Sequence, residues 1–97
     1  MTKTIENKQT DLPLENGKAR YADLLKVIID KPIKEGITVS EMRRDIGIIT
    51  ILDKSKLLDT IEFSAEEFKH LAELTKQSVW GIRHVEILDF VDYIASL

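Results

Sequence analysis

Apolar positions recur along this chain with the spacing of helices. Tyr21, Leu24, Leu25, Ile28 and Ile29 fall at i, i+3, i+4, i+7 and i+8, which places all five on one helical face. Lys26 and Asp30 fall off that face, toward water. Pro32 predicts the end of this helix, because it disfavours helical geometry in Lys31 and offers no amide hydrogen. The loop Ile33-Lys34-Glu35-Gly36 follows.

Thr38 and Glu41 have the spacing of a capping box, and Ile37 and Met42 stand where a hydrophobic staple would close over it. A second helix is predicted from here to about Asp53, with Val39, Met42, Ile46, Ile49 and Leu52 inward and Arg43, Arg44 and Asp45 outward. Within it, Gly47-Ile48-Ile49-Thr50-Ile51-Leu52 reads two ways. Its β-branched residues favour a strand, and Gly47 weakens a helix interior by about 1 kcal/mol relative to Ala. A strand would need Asp59-Thr60-Ile61-Glu62-Phe63 as its hairpin partner. The preferred reading is a helix, apolar nearly all round and central to the core; the hairpin is the alternative.

Ser64 and Glu67 repeat the capping box, and Phe63 and Phe68 repeat the staple. The third helix then carries Phe68, Leu71, Ala72 and Thr75 inward, with Glu66, Lys69, Glu73 and Lys76 outward. Ser78-Val79-Trp80-Gly81 interrupts the pattern. A last helix is predicted from Ile82 or His84 to Ala95, with Val85, Leu88, Val91 and Ile94 on its main face. Ile87, Phe90 and Tyr93 extend that face to one side.

The fold class is therefore mainly α: a small bundle of about four helices, with a short β-hairpin or extended segment around residues 47–63. Residues 1–18 are polar and aperiodic, broken by Pro13 and by the turn signal Glu15-Asn16-Gly17-Lys18. They are expected to form a flexible N-terminal arm, with docking of Leu12, Pro13 and Leu14 on the domain or on a partner as the alternative, and residues 19–97 a single helical domain.

Composition narrows the function classes. A chain of 97 residues has the size of one domain, and 43% hydrophobic residues suffice for one core. A net charge of −3 argues against a main task of neutralising phosphates. Without cysteine there is neither a disulfide framework nor a thiolate zinc site. The first eight residues lack the apolar core of a secretory signal, and no apolar run approaches the roughly 20 residues that span a bilayer. A cytoplasmic location, with no membrane partner, is the expectation.

Candidate chemistry is sparse. His70 and His84 match no metal-binding spacing, and Glu86, Asp89 and Asp92 form the acidic stripe of an amphipathic helix face. The serines sit in no nucleophile motif, and the four glycines form no phosphate-cradling loop. No catalytic residue, cofactor, metal or small-molecule substrate is expected, so the chain reads as non-enzymatic; a metal-dependent enzyme built on the histidines and the acidic stripe is the remotest alternative. Arg43, Arg44 and Lys54 make the most basic stretch and define another alternative, a small DNA-binding transcriptional regulator. Trp80 is a candidate binding anchor, and Ile87, Phe90 and Tyr93 are apolar positions in surplus of what one neighbour covers. Those four residues are the expected contact surface for a protein partner or for a second copy in a homodimer.

From Tyr21 onward the order of elements resembles that of small bacteriophage or prophage accessory proteins. The matching stretches are Thr38 to Arg43 (a capped T-x-x-E-M-R helix), Asp59 to Leu71, and Trp80 to Asp92 with its F-V-D helix. The resemblance implies a small accessory role, regulatory or in assembly, exerted through protein contact. It brings no functional residues with it.

Overall fold

The computed structural model describes residues 2–14, 17–30, 35–81 and 83–97. In chain order its elements are β1 (Thr2–Glu6), β2 (Gln9–Leu14), β3 (Gly17–Arg20), α1 (Tyr21–Ile29), α2 (Val39–Ser55), β4 (Thr60–Ser64), α3 (Ala65–Gln77) and α4 (Val85–Ser96). The four helices are joined by two small antiparallel sheets, β1 with β4 and β2 with β3. No helix among the described residues is long and apolar enough to cross a membrane.

Both local start signals form. Thr38 Oγ1 accepts the Glu41 N–H at 3.1 Å and opens α2. Ser64 Oγ accepts the Glu67 N–H at 3.2 Å while the Glu67 carboxylate accepts the Ser64 N–H at 2.8 Å, a reciprocal box that opens α3. Leu24, Leu25, Ile28 and Ile29 are buried along α1 as their spacing predicts. The predicted stop at Pro32 and the start at Ile82 lie outside the described residues.

Gly47 to Leu52 are helical, and α2 runs on to Ser55. The strand that follows does not fold back on them. It pairs instead with β1, in the register Thr2↔Ser64 to Glu6↔Thr60. This pairing corrects the expectation of a flexible arm over residues 1–18. Ile5, Leu12 and Ala19 are all buried in the same core cluster as the helices. Thr10 is buried too, its hydroxyl donating to the Ala19 carbonyl at 2.6 Å. The segment has little apolar surface, but alternation places that surface on one side of each strand, where the helices cover it. Gly17, at φ +140°, begins β3 opposite Leu14 in a conformation that L side chains rarely adopt.

Asn7, 3% exposed, ties the first strand to three other elements. Its Nδ2 donates to the carbonyls of Ser55, Lys56 and Leu58 at 3.0, 3.1 and 2.8 Å, at and beyond the end of α2, beside the Leu58 N–H that also meets Ser55 and the Arg20 guanidinium that also meets Leu58. Its Oδ1 accepts the Ala22 N–H at 2.9 Å in the first turn of α1. Its own N–H donates to the Asp59 carbonyl at 2.8 Å, and the Lys8 carbonyl accepts the Tyr21 N–H at 3.0 Å. One amide side chain thus caps the start of one helix and the end of another.

Two helices present different faces from those predicted. On α2 the buried residues are Ile48, Leu52 and Ser55, whereas Val39, Met42 and Ile46 are 65%, 44% and 56% exposed. On α4 the buried residues are Ile87, Phe90 and Ile94, whereas Val85 and Leu88 are each 64% exposed. Neighbouring elements decide the side: β4 and α1 pack on α2, while α3 and β2 pack on α4.

Replacing Asn7 by Ala is expected to lower unfolding free energy by about 2 kcal/mol, since the buried Ala22 N–H loses its acceptor and three carbonyls lose a donor. The urea midpoint should fall without a change in slope. A loss under about 1 kcal/mol would show that water replaces the side chain at little cost.

Candidate interaction surface

Of the residues singled out for partner binding, two are interior and two are half-buried. Phe90 is fully buried and Ile87 nearly so. Trp80 is half-buried and packs against the core, its ring edge-on to Phe90 at 6.3 Å and 84°. Tyr93 stacks obliquely on Tyr21 at 5.6 Å, and its hydroxyl accepts the Glu6 N–H at 2.9 Å. Ile87 and Phe90 thus lie in the core and offer no side chain to a partner, while Trp80 and Tyr93 are partly covered by Phe90 and Tyr21. Part of the apparent surplus is taken up by β2, which packs on α4, and by β1, whose Glu6 amide meets Tyr93.

The acidic stripe divides as well. The Glu86 carboxylate accepts the Asp11 N–H on β2, two helical turns from the Tyr93 hydroxyl that accepts from β1. Asp89 and Asp92 stay exposed. Of the histidines, His84 caps α4, with Nδ1 accepting the Glu86 N–H at 3.1 Å. His70 lies on α3 with Nε2 3.2 Å from Asp45 Oδ1 on α2, off the alignment of a hydrogen bond. Each imidazole thus serves a separate helix junction. No group of three or more His, Asp or Glu able to hold a metal occurs among the described residues.

The basic stretch is broken up by its own carboxylate. Arg44 Nε donates to Asp45 Oδ1 at 3.2 Å, while Arg43 and Lys54 remain exposed and outside any ion pair among the described residues. Three turns of helix separate Arg43 from Lys54, about 16 Å along the axis. Two cations so far apart make a thin track for phosphates.

The outer face of α2 is the feature that the sequence pattern concealed. At about 100° per residue, Val39, Met42 and Ile46 fall within one sector roughly opposite Ile48 and Leu52. The helix is apolar on both sides, and only one side is covered. Arg43 and Lys54 border the exposed apolar stripe along one edge, and Leu57, 80% exposed, prolongs it past the helix end. Exposed apolar side chains grouped in this way mark contact sites on soluble proteins. Concave sites are modest by comparison. The groove between α3 and α4, lined by Phe68, Ala72, Val91 and Leu97, holds about 240 Å³, and hollows beside Asn7 and beside Leu57 hold about 340 and 310 Å³, below or at the low end of the roughly 300–1,000 Å³ of small-molecule sites.

Neither protein-family models, nor curated proteins, nor solved structures give a match to this chain.

Two measurements test the assignment of faces. Phe90→Ala should cost about 3–5 kcal/mol of stability, whereas Ile46→Ser should stay within about 0.5 kcal/mol of the parent. The opposite ranking in chemical denaturation would restore the original faces. The Tyr21 phenol is held above the ordinary tyrosine pKa, chiefly by burial and then by the charges of Asp89, Glu6, Tyr93 and Glu86. A raised folded-state pKa gives stability that is fully present below the unfolded value near 10 and lost as pH rises through the folded value. Absorbance titration should show one tyrosine ionising late, together with unfolding, and Tyr21→Phe should remove that late step. Full titration of both tyrosines near pH 10 in a folded protein would contradict this.

Proposed function

We propose that this protein is a small accessory module that works by protein–protein contact, in a regulatory or assembly role, with the outer face of α2 as its working surface. One observation carries the reading: a 17-residue helix is apolar on two opposite sides and buries only one of them. Exposed apolar side chains grouped on one side of a helix mark a surface suited to a partner. The occupant fitting Val39, Met42 and Ile46 is the apolar face of another folded protein segment, with carboxylates placed to meet Arg43 and Lys54. The phage-type setting draws on the resemblance of the stretches Thr38–Arg43, Asp59–Leu71 and Trp80–Asp92.

The test is site-specific photocrosslinking in the native host. A benzophenone side chain at Ile46 should give a covalent adduct with one defined protein, and the same group at Glu66, on the wet face of α3, should give none. Equal labelling from both positions, or an adduct to nucleic acid, overturns the proposal.

A further inference from the structure

We infer that the α2 face is covered by the α4 outer face of a second copy of this chain, in a head-to-tail contact. The inference rests on the reading of α2 as a protein-contact surface and names its occupant.

The two outer faces match in spacing and oppose in charge. On α2, Val39, Met42, Arg43 and Ile46 occupy i, i+3, i+4 and i+7. On α4, Val85, Leu88, Asp89 and Asp92 occupy the same four positions. Both faces therefore offer two exposed apolar side chains one turn apart, Val39 with Met42 and Val85 with Leu88. Beside them α2 presents the exposed cation Arg43, and α4 presents the exposed acids Asp89 and Asp92. The α4 helix carries no Lys or Arg at all. The acids on α2 are already engaged, Glu41 with the Thr38 hydroxyl at 2.8 Å, Asp45 with Arg44, and Asp53, which by angle lies between Met42 and Ile46 on the stripe, with Lys26 at 2.8 Å. What remains is a cationic apolar face on one helix and an anionic apolar face on another.

One copy cannot join its own two faces, because each points away from its own packing partners, α1 and β4 for α2, α3 and β2 for α4. A symmetric α2–α2 pair would align like with like and leave Arg43 and Lys54 without carboxylates. Pairing α2 with α4 of the next copy answers both charge sets. Such a contact is heterologous, so it propagates to a ring or a filament instead of stopping at a two-fold dimer.

Charge reversal with mixing tests this directly, by sedimentation up to about 1 mM protein, the range of weak association. The parent's average mass should rise above the 11.1 kDa monomer as concentration increases. Arg43→Asp alone and Asp89→Arg alone should each weaken association at least about tenfold. Mixed together they should associate again, since each then offers the other a matched face on both sides, and this recovery also shows that both variants fold. A parent that stays monomeric at about 1 mM overturns the inference. So does a mass that saturates at the dimer with no effect of Asp89→Arg, or a mixture that stays apart. The crosslinking at Ile46 decides the broader reading separately, because an adduct with a different protein upholds that reading while this inference fails.

Discussion

A single buried amide organises this molecule. Asn7 lies where the first strand, the start of α1, the end of α2 and the approach to β4 meet, and it serves each of them through the main chain. An asparagine suits this place because its side chain both donates and accepts. Leucine would leave the Ala22 N–H without its acceptor and take a donor from three carbonyls, and aspartate would set a carboxylate against those carbonyls. With that point fixed, β1 is in register beside β4, Ile5 enters the core, and α2 turns Ile48 and Leu52 inward. The uncovered stripe of Val39, Met42 and Ile46 follows from the same constraint, since the other side of the helix is committed.

What could be read from the chain follows the range of the forces involved. Capping boxes act over three residues, so Thr38 with Glu41 and Ser64 with Glu67 locate two helix starts correctly. The amphipathic spacing of α1 and α3 is one-sided and gives their faces. On α2 and α4, apolar residues stand on more than one side, and periodicity alone cannot choose between them. The partners that choose include strands as well as helices, and β1 finds its partner 62 positions away, from Thr2 to Ser64. No local pattern carries that information. One local signal was present all the same. Asn16-Gly17, flanked by the alternation of Thr10, Leu12 and Leu14 with Gln9, Asp11 and Pro13, is a hairpin signature, and β2 and β3 pair across it.

The surface residues changed roles for a related reason. Of the four aromatic and aliphatic positions that looked unpartnered on a four-helix bundle, Ile87 and Phe90 are core, and Trp80 and Tyr93 pack on Phe90 and Tyr21. Glu86, which looked like one member of an acidic stripe, meets an amide of β2, and Tyr93 meets one of β1. Strand edges expose unpaired amides that invite other strands, and α4 closes both with side-chain acceptors. The exposed apolar residues of α2 and α4 then stand on helices, where side chains determine the contact and where charge can select what binds.

The pairing of β1 with β4 also bears on how the chain matures. During synthesis the first strand leaves the ribosome long before the segment that completes it. The bond between Glu6 and Tyr93 joins residues 87 apart. Contacts this distant in sequence form late, after loop closure over most of the chain. Until then Ile5 and Leu12 have no core to enter, and the growing polypeptide must be kept from associating through them. Completion of the fold is therefore tied to the emergence of α4, a dependence on the order in which segments leave the ribosome.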